Sequence, residues 1–103
     1  MRYTVNFSKI DVYEVIKNNM NNEYIQILLN SLPTEEKEVI ELRIEKKTRK
    51  YIAELKNTTY DRVRGMEERA LKHLKHPARL QLLNKVLDPD FTISENAKNY
   101  LSR

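Results

Sequence analysis

Twelve of the chain's 19 Lys and Arg residues lie between Arg43 and Arg79, against five of its 15 Asp and Glu. That block carries a formal charge of +7 and the remainder −3, within a net +4. Clustered guanidinium and ammonium groups can neutralise phosphates and donate hydrogen bonds to base edges, so the block reads as a nucleic-acid surface. The plainer alternative is a solvated helical face of mixed charge. Other chemistries find less support. With no cysteine, thiolate catalysis, disulfides and cysteine zinc sites are excluded. His73 and His76 are three residues apart and could share a metal, but no third ligand accompanies them. Asp88 and Asp90 flank Pro89 as a helix stop rather than a magnesium site. Ser, His and Asp show no arrangement that suggests a nucleophile, so no enzyme activity and no cofactor is expected. Tyr51 and Tyr60 could stack or touch phosphate, or simply pack as amphipathic edges.

The elements that must position these residues are helical. A chain of 103 residues makes one domain with one modest core, burying roughly 65% of its unfolded surface. One glycine and three prolines leave too few turn residues for a β-sandwich or barrel, and no glycine loop to cradle phosphate. No apolar run approaches the roughly 20 residues of a membrane span, and the N-terminus lacks a signal-peptide core, so a cytoplasmic protein with no membrane partner is expected.

Residues Met1 to Phe7 alternate apolar and polar, which predicts a short arm or strand. Ser8 can cap a first helix over about 9–20, with Tyr13, Ile16 and Met20 on one side. After the Asn-rich turn at 18–22, Tyr24, Ile27 and Leu28 mark a second helix that Pro33 terminates. A third begins near Thr34, with Glu35 and Glu36 in its first turn and Val39, Ile40 and Ile44 on its apolar side. Thr48 caps a fourth over 49–55 that turns Ile52, Ala53 and Leu55 inward. Lys56-Asn57-Thr58 is a turn, because asparagine tolerates the left-handed conformation. Thr59 caps a fifth over about 60–75, with Val63, Met66, Ala70 and Leu74 buried. A sixth over about 78–87 carries Leu80, Leu83, Val86 and Leu87, and one or two further turns follow a Ser94 cap. The expectation is an all-α fold of five to six short helices. Its parts are an N-terminal helical extension (1–31), a helix-turn-helix domain (32–87) and a C-terminal tail (88–103).

A short helix, a three-residue turn and a longer basic helix make a helix-turn-helix, whose second helix enters the major groove. At 100° per residue, Asp61, Gly65, Glu68 and Lys72 point outward when Val63 and Met66 point inward. Arg62 and Arg69 flank that stripe on one side, Arg64 and Lys75 on the other. Any small α domain offers such hairpins, so the pattern gains weight only from the residues that fill it.

The stretch Leu32 to Leu87 closely resembles the C-terminal region, region four, of bacterial sigma-70-family factors. That family opens on a helix of the type L-x-x-R/E-E-x-x-V-L-x-L-R. It continues with T-L-x-E-V-G, a turn and T-R-E-R-I-R-Q-I-E-x-x-A-L-x-K-L-R-H-P. The frame runs without a gap from Thr48 to Pro77. Thr48, Ile52 and Ala53 fill the first helix, Asn57 the turn and Thr59 the cap. Arg62, Val63, Arg64, Met66 and Glu67 fill the recognition helix, and Ala70, Leu71, Leu74, Lys75, His76, Pro77 and Arg79 its end. The resemblance implies binding of double-stranded promoter DNA at the minus-35 element, and of the RNA polymerase β flap in an apolar cleft. It implies phosphate contacts at Arg43, Thr48, Arg62 and Arg69, the last in place of a lysine. The flap surface would draw on Leu28, Leu32, Val39, Ile40 and Ile44, which simple core packing would also explain.

The departures from the family pattern bear on readout. Tyr60 replaces the base-reading arginine after the Thr59 cap, Asp61 the glutamate, and Gly65 an outward glutamine, while Arg64 is retained. Asp61 can accept from a cytosine amino group and Arg64 can hold guanine, whereas Gly65 reads nothing by side chain, so either the preferred sequence differs from a standard minus-35 element or DNA contact is weak and mostly to phosphates. Lys72 adds a phosphate contact. No aromatic-rich basic helix for promoter melting is found in the chain. The starting methionine and the tail suggest a stand-alone small protein: a split-sigma half served by a separate sigma-like melting subunit, a phage or mobile-element regulator, or a polymerase-binding accessory, with an excised fragment as the other option. Two rivals stand beside this reading. One is a polymerase- or anti-sigma-binding module with little DNA readout. The other is an autonomous dimeric regulator using the N-terminal arm and the tail.

Overall fold

The helices begin where short polar side chains can accept from their first free N–H groups. The computed structural model describes residues 11–102, and among them the chain forms seven α-helices. Helix α1 (Val12–Asn18) is capped by Asp11, whose carboxylate accepts from the N–H groups of Tyr13 and Glu14. The first helix thus starts later than the sequence predicts. The Ser8 cap and the Met1 to Phe7 arm lie outside the described residues. Asn22 caps α2 (Glu23–Asn30). Helix α3 (Thr34–Ile44) follows Pro33 without a side-chain cap and places Glu35 and Glu36 in its first turn. Thr48 caps α4 (Arg49–Leu55) and Thr59 caps α5 (Tyr60–Leu74), both as predicted. His76 caps α6 (Pro77–Leu87), accepting through its ring Nδ1 from the Ala78 N–H. Ser94 caps α7 (Glu95–Leu101), the further turns expected in the tail.

Two helix ends close with the same hydrogen-bond pair. After α4, Asn57 adopts φ 53°. Its N–H donates to Glu54 O at 3.2 Å and that of Thr58 to Ala53 O at 2.9 Å. After α3, Lys46 adopts φ 65°, with Lys46 N–H on Arg43 O at 2.9 Å and Lys47 N–H on Leu42 O at 3.0 Å. Both are Schellman caps. Asparagine enters the left-handed region readily, whereas lysine does so against its side chain.

Helix α3 lies along α5, α4 closes against α5, α1 covers α3, and α2, α6 and α7 stack in series. The larger core cluster joins Val12 and Ile16 of α1, Ile25, Leu28 and Leu29 of α2, Ile40 and Ile44 of α3, Ala70 and Leu74 of α5, and Leu82 and Leu83 of α6. Ile93 and Leu101 pack on its edge, so the segments 1–31, 32–87 and 88–103 share this core through their described residues. A smaller cluster of Val39, Ile52, Ala53, Val63 and Met66 sits beneath the helix-turn-helix.

Several inward assignments change. Leu55 is 58% exposed, because the turn at Asn57 ends α4 before a neighbour covers it. Ile27 is exposed and Ile25 takes its place, since α2 turns its 25/28/29 face to the core. On α6, Leu82 and Leu83 are buried, Leu80 and Val86 only partly, and Leu87 is exposed. Arg79 and Asn84 occupy buried positions instead. Among the described residues, no helix is long and apolar enough to cross a membrane.

Candidate nucleic-acid interface

Helix α5 presents the surface. Val63, Met66, Ala70 and Leu74 are buried on one side, which leaves Asp61, Arg62, Arg64, Glu68, Arg69 and Lys72 exposed on the other. The structure therefore brings the predicted outward stripe and both rims onto one helix face. Tyr60, in the first turn, is 47% exposed. Thr48 and Thr59 stand at the N-termini of α4 and α5. The hydroxyl of Thr48 accepts from Tyr51 N–H at 3.0 Å and that of Thr59 from Arg62 N–H at 3.2 Å. Each can still donate its own proton outward. Arg64 lies 4.0 Å from Asp61 one turn earlier. That pair is exposed and loosely held, so both side chains can exchange it for a better partner.

Arg43 stands differently. Its Nε donates to Glu67 Oε2 at 3.0 Å and its Nη1 to Lys47 O at 2.8 Å. Two of its five N–H groups are thus used within the fold, and Arg43 acts first as a brace between α3 and α5. Arg49, which sequence reasoning did not single out, donates from Nε to Glu67 Oε1 at 2.6 Å and keeps 36% of its side chain exposed. Tyr13 donates its hydroxyl proton to Glu67 Oε2. The Glu67 side chain, 3% exposed, thus ties α1, α3, α4 and α5 together.

The electrostatics follow from this geometry. Burial pushes the Glu67 carboxyl up, but hydrogen bonds from Tyr13, Arg49 and Arg43 outweigh it and hold the group below its ordinary 4.5. Burial, then the bond to Glu67, raises the Tyr13 phenol. The Glu67 bond, with help from Tyr60, raises Arg49. Two arginines on one carboxylate leave a net positive charge beside the first turn of α5. A signal for Glu67 exists in the sequence: it lies on the stripe 63, 67, 70, 74, where a carboxylate needs a cation. A second buried acid, Glu36, meets His73 Nδ1 at 2.6 Å. His76 stacks on Tyr100 with ring centroids 4.0 Å apart. Both histidine rings therefore have partners within the fold. Among the described residues, no three His, Asp or Glu side chains gather as a metal site.

The five apolar residues expected to meet the polymerase flap are placed in the core. Leu28, Leu32, Ile40 and Ile44 belong to the larger cluster and Val39 to the smaller. They form no open cleft here, because α1 packs on α3 and α6 on α2. The exposed apolar side chains near the interface are Tyr51, Leu55 and Tyr60. Lys47 Nζ lies 5.2 Å from the centre of the Tyr51 ring.

Gly65 lies at the middle of the stripe. Its φ is not positive, and a Cβ built there would meet only Arg69 Nη1, at 3.7 Å, an ordinary contact. The fold does not require this glycine, although it costs about 1 kcal/mol relative to alanine in a helix interior.

No curated protein sequence and no solved structure matches the chain. A family model does, over residues 28–76, and its description is sigma-70, region 4. The matched span takes in α3, α4, the turn at Asn57 and α5. It holds the cap, turn and recognition-helix residues described above. That family is a DNA-binding regulatory one and not a family of enzymes. Residues 28–76 thus match sigma-70 region 4, a DNA-binding family, and within them α4 and α5 form a helix-turn-helix.

Proposed function

We propose that the protein binds promoter-like double-stranded DNA with α5 in the major groove and acts in transcription together with RNA polymerase. The observation that carries the DNA part is the face of α5, where cations on both rims enclose a first turn that exposes Tyr60 and Asp61. Arg62 and Lys72 hold phosphates. Arg64 exchanges its loose pair with Asp61 for guanine, which frees Asp61 to accept from a cytosine amino group. Thr48 and Thr59 donate to phosphates at the two helix starts. Arg43 and Arg49, fixed on Glu67, keep the local potential positive.

The polymerase part takes a changed form. Leu28, Leu32, Val39, Ile40 and Ile44 are core residues, so a flap segment reaches them only after the helices packed over them move aside, α1 from α3, α6 from α2, and α4 and α5 from Val39. A second reading, a protein-interaction module with little base readout, is favoured by Tyr51 and Leu55, exposed one turn apart on α4.

Selection from a random duplex pool, followed by titration over a range of salt, separates the readings. The DNA reading expects an enriched site bound roughly 10³-fold or more tightly than scrambled duplex, with affinity falling steeply as salt rises. A chain that enriches nothing, yet captures core polymerase, supports the interaction module. Capture that depends on the β-flap tip supports the polymerase part, and flap-independent capture contradicts it.

A further inference from the structure

The resemblance to the sigma family assigns Arg69 a phosphate. From the geometry of α5 we infer that Arg69 instead reads a guanine through the gap left by Gly65, as a specificity-determining residue. This inference rests on the proposed DNA-binding reading.

Three observations carry it. First, Arg69 is one turn beyond Gly65 and about 40° around the helix from it, and helical side chains lean toward the N-terminus. Its guanidinium therefore falls back over residue 65, at the centre of the outward stripe. Nη1 lies 3.7 Å from where a Gly65 Cβ would be, the nearest atom to it outside the chain neighbours and the helix's own backbone. Second, among the described residues no carboxylate pairs with Arg69. Its planar fork is left available for a bidentate partner, and guanine O6 and N7 match that fork. Third, Gly65 and Arg69 line an open groove of about 600 Å³ together with the cations Lys56 and Arg62 and the acids Glu35 and Asp61. The missing Cβ lowers the floor of that groove, so a base edge can come closer to the α5 backbone there than to any residue with a side chain. Gly65, which the fold does not require, thus acquires a role in making room for the Arg69 fork.

The test compares the wild-type chain with Arg69→Ala and Gly65→Gln on the duplex site selected by the wild type, with each base pair varied in turn. Arg69 is exposed, so its truncation leaves the fold intact, which circular dichroism checks. Arg69→Ala is expected to lose about ten- to hundred-fold preference at one G·C pair and to keep its preferences elsewhere. Gly65→Gln, which fills the gap, is expected to change the preferred base at that same pair, toward A·T. An equal loss for every sequence in Arg69→Ala, with a salt slope lower by about one, would make Arg69 a phosphate contact and overturn the inference, while the DNA reading stands. A wild-type chain that prefers no sequence overturns both.

Discussion

The two halves of the molecule hold themselves together differently. Around α2, α6 and α7, apolar residues from five helices form a continuous core, and polar side chains act as local latches. Arg79 is the main one. Its Nε donates to Ser31 Oγ at 2.8 Å, its Nη2 to Ser31 O at 3.0 Å and its Nη1 to His73 O at 3.2 Å. Beneath the helix-turn-helix only five residues, from α3, α4 and α5, form the buried cluster, and the Glu67 network braces these three helices and ties α1 to them. The proposed DNA-binding surface must keep its cations in solvent, so the half that would carry it has little apolar area to bury. A buried carboxylate compensates by fixing two arginines and a tyrosine at once.

The largest expected effect separates the halves by function. Ile52→Ala and Leu28→Ala each remove a fully buried side chain and should cost about 2–5 kcal/mol in denaturant unfolding. Corrected for the folded fraction, DNA affinity should fall for Ile52→Ala, which loosens α4 against α5, and stay constant for Leu28→Ala. Equal binding losses would mean that the two clusters work as one.

Next comes the network itself. Glu67→Gln should destabilise by about 2 kcal/mol, below the cost of breaking a fully buried pair because Arg43 and Arg49 keep access to water. It should also change the pH profile. A carboxyl held below its ordinary 4.5 stabilises the fold fully above that value, and the contribution is lost as pH falls through the lower folded value. The wild-type chain should therefore weaken in acid more steeply than Glu67→Gln. Parallel acid limbs in urea titrations would remove Glu67 as the brace.

Smaller effects test the latched half and the helix ends. Ser94→Ala removes the α7 cap, whose hydroxyl accepts from Ala97 N–H at 3.2 Å. It should cost about 1 kcal/mol, seen as faster amide exchange in α7 with DNA affinity unchanged. Lys46→Gly should stabilise by about 0.5 kcal/mol, since glycine adopts the φ of 65° without strain. A loss of stability in thermal melts would show that the Lys46 side chain contributes more than its backbone costs.

Much of this was legible because capping is local. Thr48, Thr59 and Ser94 are hydroxyl residues directly before helical runs, and Asn57 is a residue suited to left-handed backbone, so four boundaries could be placed from neighbours alone. The recognition-helix face followed from 3.6-residue periodicity. Lys46 was not legible, because nothing local favours lysine at φ 65°; the packing of α3 and α4 on α5 imposes it. Leu55 and Ile27 were misplaced because apolar type does not say whether a neighbour arrives to cover it. At the candidate site the exposed cations were readable from charge and spacing. Glu67, Arg49 and the partnering of Arg43 were not, since they depend on residues up to 54 positions apart in sequence. The flap residues illustrate the limit from the other side. Their apolar character suits a cleft and a core equally, and packing places them in the core.

In the proposed function, α5 and its cations form the working surface while the latched half supports it. An amide chemical-shift map of the chain, taken with and without its selected duplex, tests this most directly. Changes should concentrate between Lys47 and Lys72, with α6 and α7 unmoved. Changes centred on Ile27 and Leu87, or none with any duplex, would contradict it.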